Sequence, residues 1–161
     1  MTPSRIIAPV TFAEDSYEAV GVAAALAAAL GAELVLAGIV PTAMPEPLLD
    51  TPDVERLAHQ TQEQQLLDRL VTERLEDLTR ALPRSVRART LLASGPVGSA
   101  LVAAAREQDA DLIVVPIHRE SELAHIVHDH ADRYVLHHSD VPVLVVPTGA
   151  HDTAQRNGAA G

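Results

Sequence analysis

Short, aliphatic, largely β-branched runs recur along this chain, each followed by a segment of helical character, and that alternation restricts the fold more than any other feature. Ile6–Val10, Glu33–Ile39, Val86–Leu92, Leu112–Val115 and Val143–Val146 read as strands. The segments between them read as helices: Asp15 or Ser16 to Leu30, Asp53 to Leu82, Val97 to Gln108, and Ser121 to His137. Strands that are apolar throughout, rather than on alternate residues, are covered on both faces. Helices intervening between such strands imply an α/β domain built on a parallel sheet, and right-handed crossovers leave few topologies.

The punctuation agrees. Pro9 lies inside the first run and removes a ladder donor, so that strand is expected to end about there. Gly31 suits the end of the first helix and Pro83 the end of the second. Val40–Pro52 holds four prolines and no periodicity, as a loop would. The polar stretch Gln60–Gln65 within the second helix is expected to lie over that loop or to project beyond the sheet. Arg87 and Arg89 place the third strand at an edge, where outward-pointing like charges discourage further pairing.

The chain has 161 residues, enough for one such domain, expected over 1–147, with 148–161 as a disordered tail lacking apolar periodicity. Hydrophobic residues are 47% and aromatic ones 2%, so the core is aliphatic. A net charge of −10 without a basic stripe argues against nucleic acid and anionic membrane as partners. Cysteine is absent, which removes disulfides, thiolate nucleophiles and cysteine metal sites together. No apolar run reaches the ~20 residues that span a bilayer, and a cytoplasmic location is expected.

An open parallel sheet holds ligands beyond the carboxyl ends of its strands, where strand order reverses. The candidates there are Pro9, Thr11, Val40, Gly95, Gly98, Pro116, His118 and Arg119. Gly95-Pro96-Val97-Gly98 reads as a turn into a helix and matches neither the dinucleotide fingerprint nor the P-loop. Six histidines cluster late, His118, His125, His128, His130, His137 and His138, and only His125, His128 and Asp132 could share one helix face. That is short of a convincing metal set, so no metal is expected, and a partly titrating polar face is the plainer reading. Ser121, Ser139 and Thr11 are available as nucleophiles, but no nucleophile elbow surrounds them.

IIAPV near the start, LGAEL at Leu30–Leu34, GPVGSALVAAAREQDADLIVV and VLHHSDVPVLVV together resemble the universal stress protein family, over about Arg5 to Val146. The resemblance implies one Rossmann-like domain of the adenine nucleotide alpha hydrolase type, an open five-stranded sheet of order 3-2-1-4-5 with helices on both faces. Many relatives bind ATP through a glycine, two residues, a second glycine, nine residues, then a glycine and a hydroxyl residue, directly after the fourth strand. Here those positions hold Pro116, Arg119, Asp129 and His130. The aspartate usual after the first strand is Thr11, and only Val40 matches an adenine-contacting position. Proline lacks an N–H, Arg119 fills space and Asp129 repels phosphate, so the resemblance implies a branch that does not bind ATP in the usual mode. The expected protein is non-enzymatic and without a cofactor. It forms a homodimer by antiparallel pairing of the last strand, Val143, Leu144, Val145 and Val146, and acts through protein or small-ligand contacts. The alternatives are a nucleotide binder with an atypical loop and a histidine-based metal- or pH-responsive module.

Overall fold

A computed structural model describes residues 2–11, 16–42, 53–118 and 131–148. Five strands and four helices alternate: β1 (Arg5–Val10), α1 (Ser16–Leu30), β2 (Glu33–Val40), α2 (Asp53–Ala81), β3 (Arg87–Ser94), α3 (Val97–Glu107), β4 (Leu112–His118), α4 (Ala131–His138) and β5 (Val143–Thr148). All pair in parallel, in the order β3-β2-β1-β4-β5. The implied fold and strand order are therefore observed.

The pleat divides the core in two. Ile6, Ala8, Val10, Leu34, Leu36 and Val114 face α1 and α2. Ile7, Val35, Ala37, Ile39, Ile113 and Val115 face α3 and α4. Strands buried on both faces account for the unbroken aliphatic runs. The alanines Ala19, Ala23, Ala24 and Ala27 bring α1 close to the sheet, and Gly31, at φ +66°, ends it. Gly38 makes room for α2: a Cβ there would lie 3.0 Å from both Val71 Cγ1 and Leu92 Cδ2.

At the amino ends of the strands, one carboxylate oxygen gathers three donors. Asp111 Oδ2 accepts from Ser4 N–H (2.8 Å), Ser4 Oγ–H (2.7 Å) and Arg5 N–H (2.9 Å). The Ser4 hydroxyl, then the Ser4 and Arg5 amides, hold the Asp111 carboxyl below its usual range. On the far side of β4, Arg106 Nε donates to Asp140 Oδ2 (2.6 Å), and that bond lowers the Asp140 carboxyl further from protonation.

Most boundaries fall within two residues of expectation; β4 runs on by three and β5 by two. The fourth strand was expected to stop at Val115, leaving Pro116 first in the loop; it continues to His118, and β5 continues through Pro147 to Thr148. The register explains both. Ile113 N–H donates to Pro142 O, so odd residues of β4 direct their backbone toward β5 and even ones toward β1. Pro116 thus turns its missing donor away from β5, while pairing Pro116↔Val146, Ile117↔Pro147 and His118↔Thr148 continues on the other side. By the same parity, Pro147 directs its missing donor to the open edge, where proline costs no ladder bond. Thr148, expected in the tail, is buried, with its hydroxyl donating to Ile117 O at 3.3 Å. The expected helix start at Ser121 and residues 149–161 lie outside the described residues.

Candidate functional site

The strand order reverses between β1 and β4, so the candidate crevice lies above their carboxyl ends. The two strands part there. β1 pairs with β2 along its whole length to Val10↔Gly38, but with β4 only at Ile6↔Leu112 and Ile7↔Ile113. Arg5 O accepts from Asp111 N–H, so odd residues of β1 face β4, and Pro9 therefore turns its missing N–H toward β4. Pro116 turns its own toward β1. Each proline removes the donor that would have carried the ladder one step higher.

The other walls come from β2, β3 and α3. Gly95, at φ +119°, donates its N–H to Val40 O at 3.0 Å and so hooks the turn before α3 onto the end of β2. Its positive φ is the reason for glycine at that position. Gly98 is buried for a different reason. A Cβ there would meet Tyr134 Cβ at 2.7 Å and Ala131 O at 3.1 Å, so its bareness allows α3 and α4 to touch. Pro96 precedes α3 without a side-chain cap, and Ser99 Oγ donates back to Pro96 O at 3.2 Å. Gln64 Nε2 reaches Pro41 O at 3.4 Å, so the polar stretch of α2 does lie over the segment after β2.

Pro9, Thr11, Val40, Gly95, Pro116 and the backbone of His118 are thus gathered at one end of the sheet. Gly98 stands beside them as a packing residue. Arg119, Asp129 and His130 lie outside the described residues, as do His125 and His128. Ala131, Tyr134 and Gln64 were not among the sequence candidates; the glycine at 98 and the polar run at 60–65 were their only traces. Among the described residues, no three His, Asp or Glu side chains converge as a metal set. His138 stacks on Tyr134 at 4.0 Å and contacts Tyr134 O through Nδ1 at 2.9 Å. Ser139 lies at the opposite end of the sheet, with its hydroxyl donating to Val141 O at 2.7 Å. Among the described residues, the groups with displaced titration, Asp111, Arg106 and Asp140, also lie at that opposite end.

A second candidate is the outer edge of β5, with which nothing pairs among the described residues. Val143, Val145 and Pro147 direct their backbone outward, and only the two valines carry outward N–H groups. Leu144 is 37% exposed on the α1 side of this edge. Val22, Leu26 and Leu30, four residues apart on α1, form an apolar flank beside it. Tyr17, under Arg74 of α2 at 5.0 Å, marks the flank turned the other way.

A profile of the universal stress protein family matches residues 3–147. The chain belongs to that family. Universal stress protein structures also share its fold. One solved with cAMP is 23% identical, covers 92% of this chain and 100% of its own, and superposes with a TM-score of 0.60. UspA from Lactobacillus plantarum is 19% identical over 89% of this chain and 97% of its own, with a TM-score of 0.63. The hypothetical protein MJ0577 is 17% identical over 93% and 99%, with a TM-score of 0.72. At these identities the likeness is one of fold. No curated protein matches the sequence. No helix among the described residues of this universal stress protein is long and apolar enough to cross a membrane.

Proposed function

We propose that this universal stress protein is a non-enzymatic, dimeric stress-response protein that does not hold ATP in the usual mode and acts through protein or small-ligand contacts. The observation that carries the reading is Pro116. The position that the family motif gives to its first phosphate-binding glycine is a proline locked in the β4–β5 ladder, with no N–H to offer. Among the described residues, Pro9 and Pro116 offer the crevice no backbone N–H, whereas a triphosphate needs many donors. Titration calorimetry with Mg-ATP tests the reading. No saturable heat is expected up to millimolar nucleotide, and a micromolar dissociation constant overturns it.

The β5 edge supports the dimer. Val143 of one copy opposite Val145 of the other uses all four outward donors around a two-fold axis and leaves Pro147 outside the hydrogen-bonded pairs. Leu144 and the α1 flank then give the contact apolar area.

A second reading is a nucleotide binder with an atypical loop. It draws on the relative solved with cAMP, a ligand with one phosphate, which asks fewer donors of the protein. The same titration with cAMP and AMP separates it from the first.

A further inference from the structure

The opposite edge of the sheet carries a different surface. All 12 basic residues of the chain are arginines, and five of them, Arg80, Arg84, Arg87, Arg89 and Arg106, fall within residues 78–106, which contain no acid. The rest of the chain sets seven arginines against 22 acids. Arg106 bonds Asp140 beside β5 and Arg80 pairs with Asp77 (3.2 Å) and Glu76, so the positive charge on this edge is that of Arg84, Arg87 and Arg89.

β3 is the last strand on this side, and among the described residues nothing pairs with its outer edge. Its two faces differ. Ala88 packs in the α1/α2 core, so Thr90 and Leu92 share that face; Leu91 packs in the α3/α4 core, so Arg87 and Arg89 share the other. On the α2 face a groove of about 580 Å³ runs between helix and strand, lined by Thr72, Leu75, Thr79, Thr90 and Leu92, with the Glu76–Arg80 pair (3.7 Å) also on its wall. Leu92 is 55% exposed in it. On the α3 face the single carboxylate of Glu33 serves both Arg89 and Arg5 (3.6 Å), and Arg87 gives Nη2 to Gly31 O at 2.8 Å. Guanidinium groups thus outnumber carboxylates on that face.

We infer that the β3 edge docks an extended segment of a partner protein in which apolar and acidic residues alternate. Added as a sixth strand, such a segment takes its backbone bonds from the open edge. Its apolar side chains fall over Thr90 and Leu92, and its carboxylates stand beside Arg87 and Arg89. Charge complementarity selects this occupant over a second copy of the chain. Another β3 would set arginine against arginine, and β5, Val143–Thr148, contains no acid. The site is on the opposite edge from β5 and stands whether or not the chain dimerises there.

The test uses the full chain and an immobilised array of eight-residue synthetic peptides alternating Val or Leu with Asp or Glu. Control arrays replace the acids with Ser or Lys, or sort the same residues into an apolar block and an acidic block. Binding to the alternating acidic set alone is expected, at least tenfold weakened in R87Q/R89Q and in L92E, unchanged in V145P, and accompanied by hydrogen-exchange protection of β3. Circular dichroism confirms that each variant is folded; L92T replaces L92E if the latter unfolds. The proposal is overturned if no alternating acidic peptide binds, if the serine, lysine or block peptides bind equally well, if the variants bind as the parent does, or if protection maps away from β3. Equal competition by a single-stranded oligonucleotide also overturns it, since that marks a site for any polyanion.

Discussion

Pro9 and Pro116 face one another across the seam between β1 and β4, each with its missing N–H turned toward the other strand. The ladder ends two residues below Pro9, at Ile7↔Ile113, although β1 continues to pair with β2 as far as Val10. A parallel sheet is thereby opened at the point where such sheets hold ligands.

If the donor-poor seam and its unmatched neighbours prevent triphosphate binding, restoring the family's residues should bring it back. P116G/R119G/D129G/H130S is expected to bind Mg-ATP measurably in calorimetry, whereas P116G alone should not, because three of the four positions still lack a glycine or hydroxyl. Absence of binding in the fourfold variant, with the fold intact, would count against the seam as the cause.

Parity along β5 makes a sharp test of the dimer. Proline at Val145 removes an outward N–H and leaves the bonds to β4, so V145P should stay folded and halve its mass by light scattering. Proline at Val146 removes a donor directed at β4 and lies in the core, so V146P should lose stability by about 3 kcal/mol or more, read from denaturant melts. Equal behaviour of the two would contradict the backbone assignment.

Gly98 separates packing from ligand binding. A methyl group there meets Tyr134 and Ala131 at contact distances that force α3 and α4 apart. G98A should cost about 1–3 kcal/mol in chemical denaturation. Unchanged stability would mean that the two helices do not touch as described.

Asp111 sets an acid dependence. Its folded carboxyl titrates below the ordinary value of 3.8 because the Ser4 hydroxyl and the Ser4 and Arg5 amides bond to the ionised form. Its contribution is therefore complete above that ordinary value and is lost as pH falls through the folded one. D111N should be less stable than the parent by about 1 kcal/mol at neutral pH, given the partial exposure of the group. The two melting curves should converge below pH 3.8. A gap that persists in acid would point to lost packing rather than lost charge.

Much of this fold is visible in the chain before any coordinates, because a strand covered on both faces must be apolar throughout. The edge position of β3 was legible too, from Arg87 and Arg89, and the strand order came with the family resemblance. The end of β4 was not. Whether proline stops a strand depends on which neighbour its absent donor faces, and that is a fact of register rather than of local sequence. Gly98 looked like a ligand loop because a glycine freeing a turn and one admitting a helix read alike. The Asp111 latch joins residues 106 and 107 positions apart, beyond the reach of any local pattern.

The sheet has two unlike margins, and the difference limits how far the molecule can grow. Two copies joined along β5 as proposed would form one ten-stranded sheet whose outer margins are both β3. Each then presents Arg87 and Arg89 to any further copy and repels it. In the proposed dimer, growth through sheet edges would therefore stop at two, limited by the same arginines that tie β3 to Glu33 and to Gly31 O.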